Sequence, residues 1–480
     1  MGGRRQNAGL AMQTALSSIV SWFELAVLGY FVAINSLYLF FSVFAYVALI
    51  RQRRRWTARE LGAVMRSPAT PGVSIIVPAY NESAGIVETV RSLLMLNYPQ
   101  FEVIVVDDGS RDETLRLLQD AFGLVRAPGS YDEKLPTAEV TGVYRSLTTR
   151  EVVALGKVNG GKADAINAGV NAARYPLVCV IDADSLMEEH ALTRAVLPFI
   201  EDPTTIAAGG IVRIGNGCRV EHGRVMEVRV PASWLARFQV IEYLRAFLAA
   251  RLTQSAFNAL LIVSGAFGVF RRDVTIEAGG FSTRTIGEDM ELIVRLHRFC
   301  RDRQRPYRIV FQPDPVVWTE APETASVLAR QRNRWQRGTL QVLASHASML
   351  GNPRYGRIGL LALPYYALFE TIGPVLELAG LVLSVLGIMF GMIDWQMAQL
   401  LFLAAILYGT LNSVAAVLLE ELSFRRYLHL ADVMKLLLAA LVENLGYRQL
   451  NTWWRLCGVI DFFKGKHGWG TMTRKGLATS

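Results

Sequence analysis

Long, almost uncharged apolar runs stand near both ends of the chain, and between them apolar residues come in short bursts closed by polar clusters. The first long run, Trp22 to Ile50, predicts a membrane helix, since roughly 30 residues can span a bilayer with tilt. Arg51, Arg53, Arg54 and Arg55 follow at once. That flank predicts a cytoplasmic carboxy end for the helix. A cleaved signal peptide would carry its charge before a shorter run. Residues 1–56 are therefore expected to form an amino-terminal segment with one spanning helix.

After Arg357 the apolar character returns. Ile358–Leu368, with Pro364 inside it, predicts an interfacial helix. Ile372–Ile393 and Ala398–Leu419 are each long enough to span. The turn Asp394-Trp395-Gln396 joins them and Arg425 and Arg426 follow, so the pair predicts a hairpin that returns to the cytoplasm. Val433–Phe463 is apolar but broken by Glu443, Asn444, Arg448 and Arg455. It reads either as two short membrane helices or as amphipathic helices at the interface. Residues 357–463 are expected to be the carboxy-terminal membrane region, and 464–480 a cytoplasmic tail.

The middle, residues 71–348, has a different rhythm. Val73-Ser74-Ile75-Ile76-Val77 ends at Pro78, Glu102–Val106 ends at Asp107-Asp108-Gly109-Ser110, and Leu177–Ile181 ends at Asp182-Ala183-Asp184. Short, wholly apolar strands suit the buried centre of a parallel sheet. Helical patterns lie between them, as in Ile86–Leu96 and Ala163–Ala173. Alternating strand and helix predicts a doubly wound, Rossmann-like α/β domain. Ligands in such sheets lie beyond the carboxy ends of the strands, which is where all three polar clusters fall.

The formal net charge of +9 permits nucleic acid, an anionic membrane face or an anionic substrate. The basic residues cluster beside apolar segments, which favours the membrane and argues against a nucleic-acid partner. Cys179, Cys218, Cys300 and Cys457 are scattered, and the six histidines form no HExxH or HxxxH spacing. Neither a disulfide framework nor a zinc site is expected.

The clusters carry the candidate chemistry, each with a plain structural alternative. Asp182 and Asp184, one residue apart at a strand end, can share a hard divalent cation, magnesium or manganese, with a diphosphate; a strand-end aspartate can equally cap the next helix. The same choice holds for Asp108, which can accept hydrogen bonds from a base or ribose. Tyr80 can flank a flat base and Glu82 can fix its polar edge, unless Pro78–Glu82 is only a turn. Asn159-Gly160-Gly161-Lys162 opens a helix, where glycines admit an anion and Lys162 adds charge; a flexible turn is the alternative. Asp289, after Gly287-Glu288, can take a proton from a sugar hydroxyl, or can simply favour a helix start. Gln331-Arg332-Asn333-Arg334-Trp335 offers guanidinium forks for phosphate oxygens and an indole for a sugar face, or else a headgroup-facing basic helix.

Together and in this order the clusters resemble the processive family-2 glycosyltransferases, the cellulose, hyaluronan, chitin and poly-N-acetylglucosamine synthases. The matching elements are DDG (Asp107-Asp108-Gly109), DxD (Asp182-Ala183-Asp184), T/GED (Gly287-Glu288-Asp289) and QxxRW (Gln331 to Trp335). The resemblance implies a GT-A catalytic domain between transmembrane helices and an inverting transfer from a UDP-sugar. It implies that Tyr80, Glu82, Asp108, Lys162 and Asp182 hold the nucleotide and that Asp182 and Asp184 hold Mg2+ or Mn2+. Asp289 would be the base, and Gln331, Arg334 and Trp335 would border diphosphate and acceptor. Gly468-Trp469-Gly470-Thr471-Met472-Thr473-Arg474 is similar to the WGTR-like tails of hyaluronan and chitin synthases, with two residues inserted. Trp469 and Arg474 are thereby implied to close over the donor; the alternative is an interfacial anchor.

The leading expectation is a polysaccharide synthase in the plasma or inner membrane, its catalytic domain cytoplasmic, elongating a β-linked polymer with export as a coupled possibility. The alternatives are a transferase adding one sugar to a lipid-linked or glycolipid acceptor, and a non-catalytic nucleotide- or sugar-binding scaffold.

Overall fold

The structure, a computed structural model, describes residues 2–52, 62, 65–127, 131–149, 151–221, 223–390 and 394–466. Its centre is one ten-stranded sheet: β1 (Val73–Ala79), β2 (Phe101–Asp107), β3 (Leu124–Arg126), β4 (Val140–Ser146), β5 (Val152–Lys157), β6 (Leu177–Ile181), β7 (Leu186–Met187), β8 (Thr205–Ile214), β11 (Phe267–Arg271) and β12 (Arg308–Thr319). A separate two-stranded ribbon pairs β9 (Arg219–Glu221) with β10 (Arg224–Glu227). In the large sheet the order is β3-β4-β5-β2-β1-β6-β11-β8-β12-β7.

The three strands expected from sequence form the middle of this sheet. β1 pairs parallel with β2 on one side and with β6 on the other. Their side chains are buried on both faces, which is why they read as near-continuous apolar runs; the polar Ser74 and Glu102 among them pair with each other at 2.6 Å. β5 extends the parallel block beyond β2. The sheet as a whole is mixed, because β11 enters antiparallel between β6 and β8. Helices Ile86–Leu94, Lys162–Ala172 and Ala191–Glu201 cover the sheet, packing their apolar stripes on it. The architecture is thus an α/β fold of the GT-A kind, with the parallel block delivering three strand ends to one edge.

Among the described residues three helices are long and apolar enough to cross a membrane: Val20–Arg51 before the sheet domain, and Ile358–Gly387 and Trp395–Ser423 after it. Ile358–Gly387 is one continuous run, where sequence suggested an interfacial piece followed by a separate span. The reason is local. Pro364 falls at the start of a short α turn between two π segments, Ile358–Ala362 and Tyr366–Ile372, and a wider turn absorbs the missing donor without breaking the axis.

The stretch that read two ways from sequence forms two helices, Leu430–Val442 and Tyr447–Phe463; the first packs on Tyr408–Ser423 and Trp234–Tyr243, the second on Ala325–Ser345 and Gly373–Met389. Gly458 makes the second docking close: a Cβ there would lie 2.8 Å from the Asn333 carbonyl oxygen and from Gln336 Cβ. Ion pairs fasten the carboxy-terminal helices as well, with the buried Arg213 of β8 forked onto Glu420 of the Trp395–Ser423 helix at 2.7 and 2.9 Å and the half-buried Arg245 on Glu443 at 2.7 Å.

Candidate active site

The carboxy ends of β1, β2 and β6 open on one cleft of about 1110 Å³. Tyr80, Glu82, Asp108, Lys162, Asp182, Asp184, Asp289, Gln331, Arg334 and Trp335 all line it. Ten of the twelve residues singled out from sequence therefore meet in one place. The other two, Trp469 and Arg474, lie outside the described residues.

The first wall is built by interlocking loops. Asn81, at φ 56°, donates its backbone N–H to the Ser110 hydroxyl oxygen at 3.0 Å, and its side chain accepts from Arg111 N at 2.8 Å. Glu82 N donates to Thr114 Oγ1 at 2.9 Å. These bonds tie the β1 loop to the β2 loop and leave Tyr80 at the surface, 44% exposed.

Asp108 is busier than sequence suggested. Its Oδ1 accepts from Lys157 Nζ at 2.6 Å and Gly160 N at 3.0 Å, and its Oδ2 from Gly161 N at 2.8 Å. Lys157, fully buried, also pairs with Asp164 at 2.6 Å. Asp108 thus holds the Asn159–Lys162 loop in shape. Gly109 makes the approach possible: it sits at φ +71° and a Cβ would be 2.9 Å from Asn159 N.

Lys162 points into the acidic centre. Its Nζ lies 2.5 Å from Asp182 and 3.8 Å from Glu288, and donates to Gly265 O at 3.3 Å. Burial alone would lower its pKa, but the charges of Asp182 and Glu288 outweigh that and raise it. Glu288 behaves oppositely: burial pushes its carboxyl up to about 7, against the pull of Lys162. Asp289 Oδ2 accepts from Gly265 N at 3.0 Å and Oδ1 from Met290 N at 2.8 Å. The Ser264-Gly265 turn therefore sets both the carboxylate and the lysine.

The GED turn abuts the QxxRW helix, Ala325–Ser345. Gln341 accepts from Thr285 Oγ1 at 3.1 Å and Ile286 N at 3.0 Å. A Cβ on Gly287 would lie 3.2 Å from Gly338 Cα. The same cleft is lined by Arg245 and Arg251, by Tyr38 of the first candidate spanning helix, and by Tyr365, Tyr366 and Glu370 of the second. Gln331 Oε1 is buried with no hydrogen-bond partner.

Sequence reading missed several of these residues. Lys157, Gly265, Glu242 and Arg455 carry no local motif; only the fold brings them to the cleft or its walls. Arg332 stood inside a motif but was given no role of its own.

Residues 71–338, more than half of the chain, match the family described as Glycosyltransferase like family 2. A poly-beta-1,6-N-acetyl-D-glucosamine synthase of Staphylococcus epidermidis is 30% identical over 272 residues, 57% of this chain and 55% of that protein. Its counterpart in Staphylococcus aureus strain COL is 28% identical over 273 residues, with the same coverage of each. The chain thus spans about half the length of the curated relatives it matches. Among solved structures, a mannosyltransferase from Pyrobaculum calidifontis, in complex with GDP-Man and Mn2+, superposes with a TM-score of 0.53 at 20% identity, covering 88% of this chain and 99% of that one; that likeness concerns the fold. The cleft at the strand ends, with its acidic centre, is where such a fold places its ligands, and the chain belongs to family 2 of the glycosyltransferases and is a glycosyltransferase.

Proposed function

We propose that this enzyme transfers a sugar, with inversion, from a UDP-sugar to the growing end of a β-linked polysaccharide on the cytoplasmic side of a membrane, with export coupled to growth. The observation that carries the reading is the continuity of the cleft. It holds the acidic centre and the QxxRW helix, and is lined as well by Tyr38, Tyr365, Tyr366 and Glu370 of two candidate spanning helices. A chain leaving the reacting end would meet those helices directly. The domain division that goes with this reading is an amino-terminal anchor (1–56), a cytoplasmic catalytic domain (71–348), a membrane region (357–463) and a tail (464–480).

The residue roles in this reading are those the family resemblance implies, and the shared cleft supports them. Tyr80, Glu82, Asp108 and Asp182 bound the nucleotide end, Asp108 acting partly through the loop it holds, and Lys162 meets the diphosphate. Gln331, Arg334 and Trp335 border diphosphate and acceptor. Asp289 takes the proton of the acceptor hydroxyl. The freed oxygen lone pair forms the new bond to the anomeric carbon while the bond from that carbon to the diphosphate oxygen breaks, and UDP leaves with that electron pair. Attack opposite the leaving group turns an α-linked donor into a β-linked product. No covalent enzyme intermediate is required.

Asp182 and Asp184 present only hard oxygen donors, and two protein carboxylates suit a cation that takes its remaining ligands from phosphate and water, as magnesium and manganese do. Held there, the cation would neutralise charge on the departing diphosphate. Trp469 and Arg474 are assigned a closing role over the donor. Lys466, the last described residue, supports it, because Arg337 of the QxxRW helix donates to its carbonyl at 2.9 Å.

The second reading is addition of one sugar to a lipid-linked acceptor, which the same membrane-facing arm would admit. Purified enzyme in detergent, given a panel of UDP-sugars beginning with UDP-N-acetylglucosamine (the sugar in the relatives' names) and including GDP-mannose, separates the readings by product size. A long polymer supports the synthase, a single addition replaces it with the second reading, and no nucleotide release from any donor refutes both.

A further inference from the structure

Arg332 is the one member of the QRNRW segment with its side chain almost wholly inside the protein, at 2% exposure. Burying a guanidinium is costly unless it is paired, and the pairing here is specific. Its Nη2 donates to Glu242 Oε2 at 2.8 Å. The same carboxylate oxygen receives the Tyr447 hydroxyl at 2.9 Å, and Tyr447 stacks on Phe238 with ring centroids 4.9 Å apart. Three elements distant in sequence thus converge on one oxygen.

The guanidinium carbon lies 4.4 Å from the centroid of the Trp335 ring. Trp335 itself is 39% exposed and, with Arg332 and Glu242, lines the cleft. A cation held against one face of an indole restrains the ring through its quadrupole. It also leaves a single face for a sugar. Glu242 occupies the last turn before the π segment Leu244–Ala250, whose Arg245, Ala246 and Phe247 line the cleft as well. Such segments often mark functional sites.

We infer that Glu242, Arg332 and Tyr447 form a clamp whose task is to orient the Trp335 indole for the acceptor sugar. They are positioning residues: Arg332 acts on the ring, Glu242 aims Arg332, and Tyr447 fixes Glu242. Through Tyr447 the carboxy-terminal helix becomes part of the acceptor site without touching the acceptor. The inference rests on the reading of Trp335 as an acceptor residue, and the test separates the two.

The variants are Arg332→Lys, Glu242→Gln, Tyr447→Phe, Trp335→Ala and the double change Arg332→Lys with Trp335→Ala, each in the full chain. UDP binding by calorimetry reports the donor end. Initial rates with UDP-N-acetylglucosamine and a β-linked N-acetylglucosamine tetrasaccharide as acceptor probe report kcat and KM. Arg332→Lys replaces the planar guanidinium that stacks on the indole while pairing with Glu242 by an ammonium that cannot do both, and is expected to raise the acceptor KM about tenfold, with UDP affinity and kcat changed less than about twofold. Glu242→Gln should do the same, and Tyr447→Phe, which keeps the stacked ring, should do so more weakly. In the Trp335→Ala background Arg332→Lys should add nothing, because the clamp then has no ring to hold. An additive effect in that background, or an equal loss of UDP affinity, would make the three residues merely structural. An acceptor KM that rises for Trp335→Ala but stays at wild type for Arg332→Lys and Glu242→Gln overturns the clamp and spares the acceptor reading. A wild-type KM for Trp335→Ala overturns both.

Discussion

Replacing Gly338 by alanine tests how the two catalytic motifs are held together. A methyl at Gly338 would lie 3.2 Å from both the Cα and the N of Gly287. Nonbonded carbons settle at about 3.5–4.0 Å, so the helix and the GED turn must part by roughly 0.3–0.8 Å. Two opposed terms act on stability. Alanine is favoured over glycine inside a helix by about 1 kcal/mol, and overpacking costs about 1–3 kcal/mol. The net is a destabilisation between about zero and 2 kcal/mol, which a domain of this size survives. The displacement, however, falls one residue from Glu288 and two from Asp289. A misplacement approaching 1 Å in an active site can cost about a hundredfold in rate, so kcat should drop by about tenfold or more while UDP affinity stays near wild type. The measurements are thermal unfolding, UDP calorimetry and initial rates on the purified variant. A folded Gly338→Ala enzyme with wild-type kcat would show that the contact between the motifs does not set the base, and the reasoning fails.

Four further outcomes are expected. Asp289→Asn should keep donor binding and lose transfer by several orders of magnitude, because the proton acceptor is gone; near-normal turnover of a folded variant removes Asp289 from that role. Activity should vanish with a chelator and return with Mg2+ or Mn2+, whereas full activity after thorough chelation would make Asp182 and Asp184 structural caps. Glu288, raised from an ordinary 4.5 to about 7 by burial, favours the fold fully below its unfolded value and loses that contribution as pH climbs through about 7; melting of the metal-free enzyme against pH should show this slope, and a parallel curve for Glu288→Gln would contradict it. Truncation before Trp469 should leave a folded membrane protein with sharply reduced transfer, and Arg474→Ala should weaken UDP binding; a truncated enzyme with the full-length rate makes the tail an anchor only.

The strands legible in the sequence were those whose environment is uniform. β1, β2 and β6 are buried on both faces, so near-continuous apolar runs closed by polar residues marked both the strands and the ligand edge. β12 was hidden for the opposite reason. Its Pro313 and Pro315 argue against a strand, and the structure accommodates them at a shift in register between Gln312 and Val316. The reversed direction of β11 left no local trace, since an apolar strand reads the same either way. Motif residues at strand ends were legible because they follow the runs directly. Their supports were not, because Lys157 on Asp108 and Tyr447 on Glu242 join positions 49 and 205 apart, and no periodicity encodes such pairs.

The ion pairs between the sheet domain and the carboxy-terminal helices bear on how the enzyme can be handled. Cutting the chain at 348 to obtain a soluble catalytic half would leave Arg213, which is 5% exposed, without Glu420, and Arg245 without Glu443. Both arginines would then face water, and the larger loss is the apolar surface on which Ala416, Val417, Leu436 and Ala440 pack. The cut would also bare the face of the QxxRW helix that Gly458 approaches. The catalytic half is therefore expected to aggregate when expressed alone, and biochemistry on this enzyme calls for the intact polypeptide in detergent or nanodiscs.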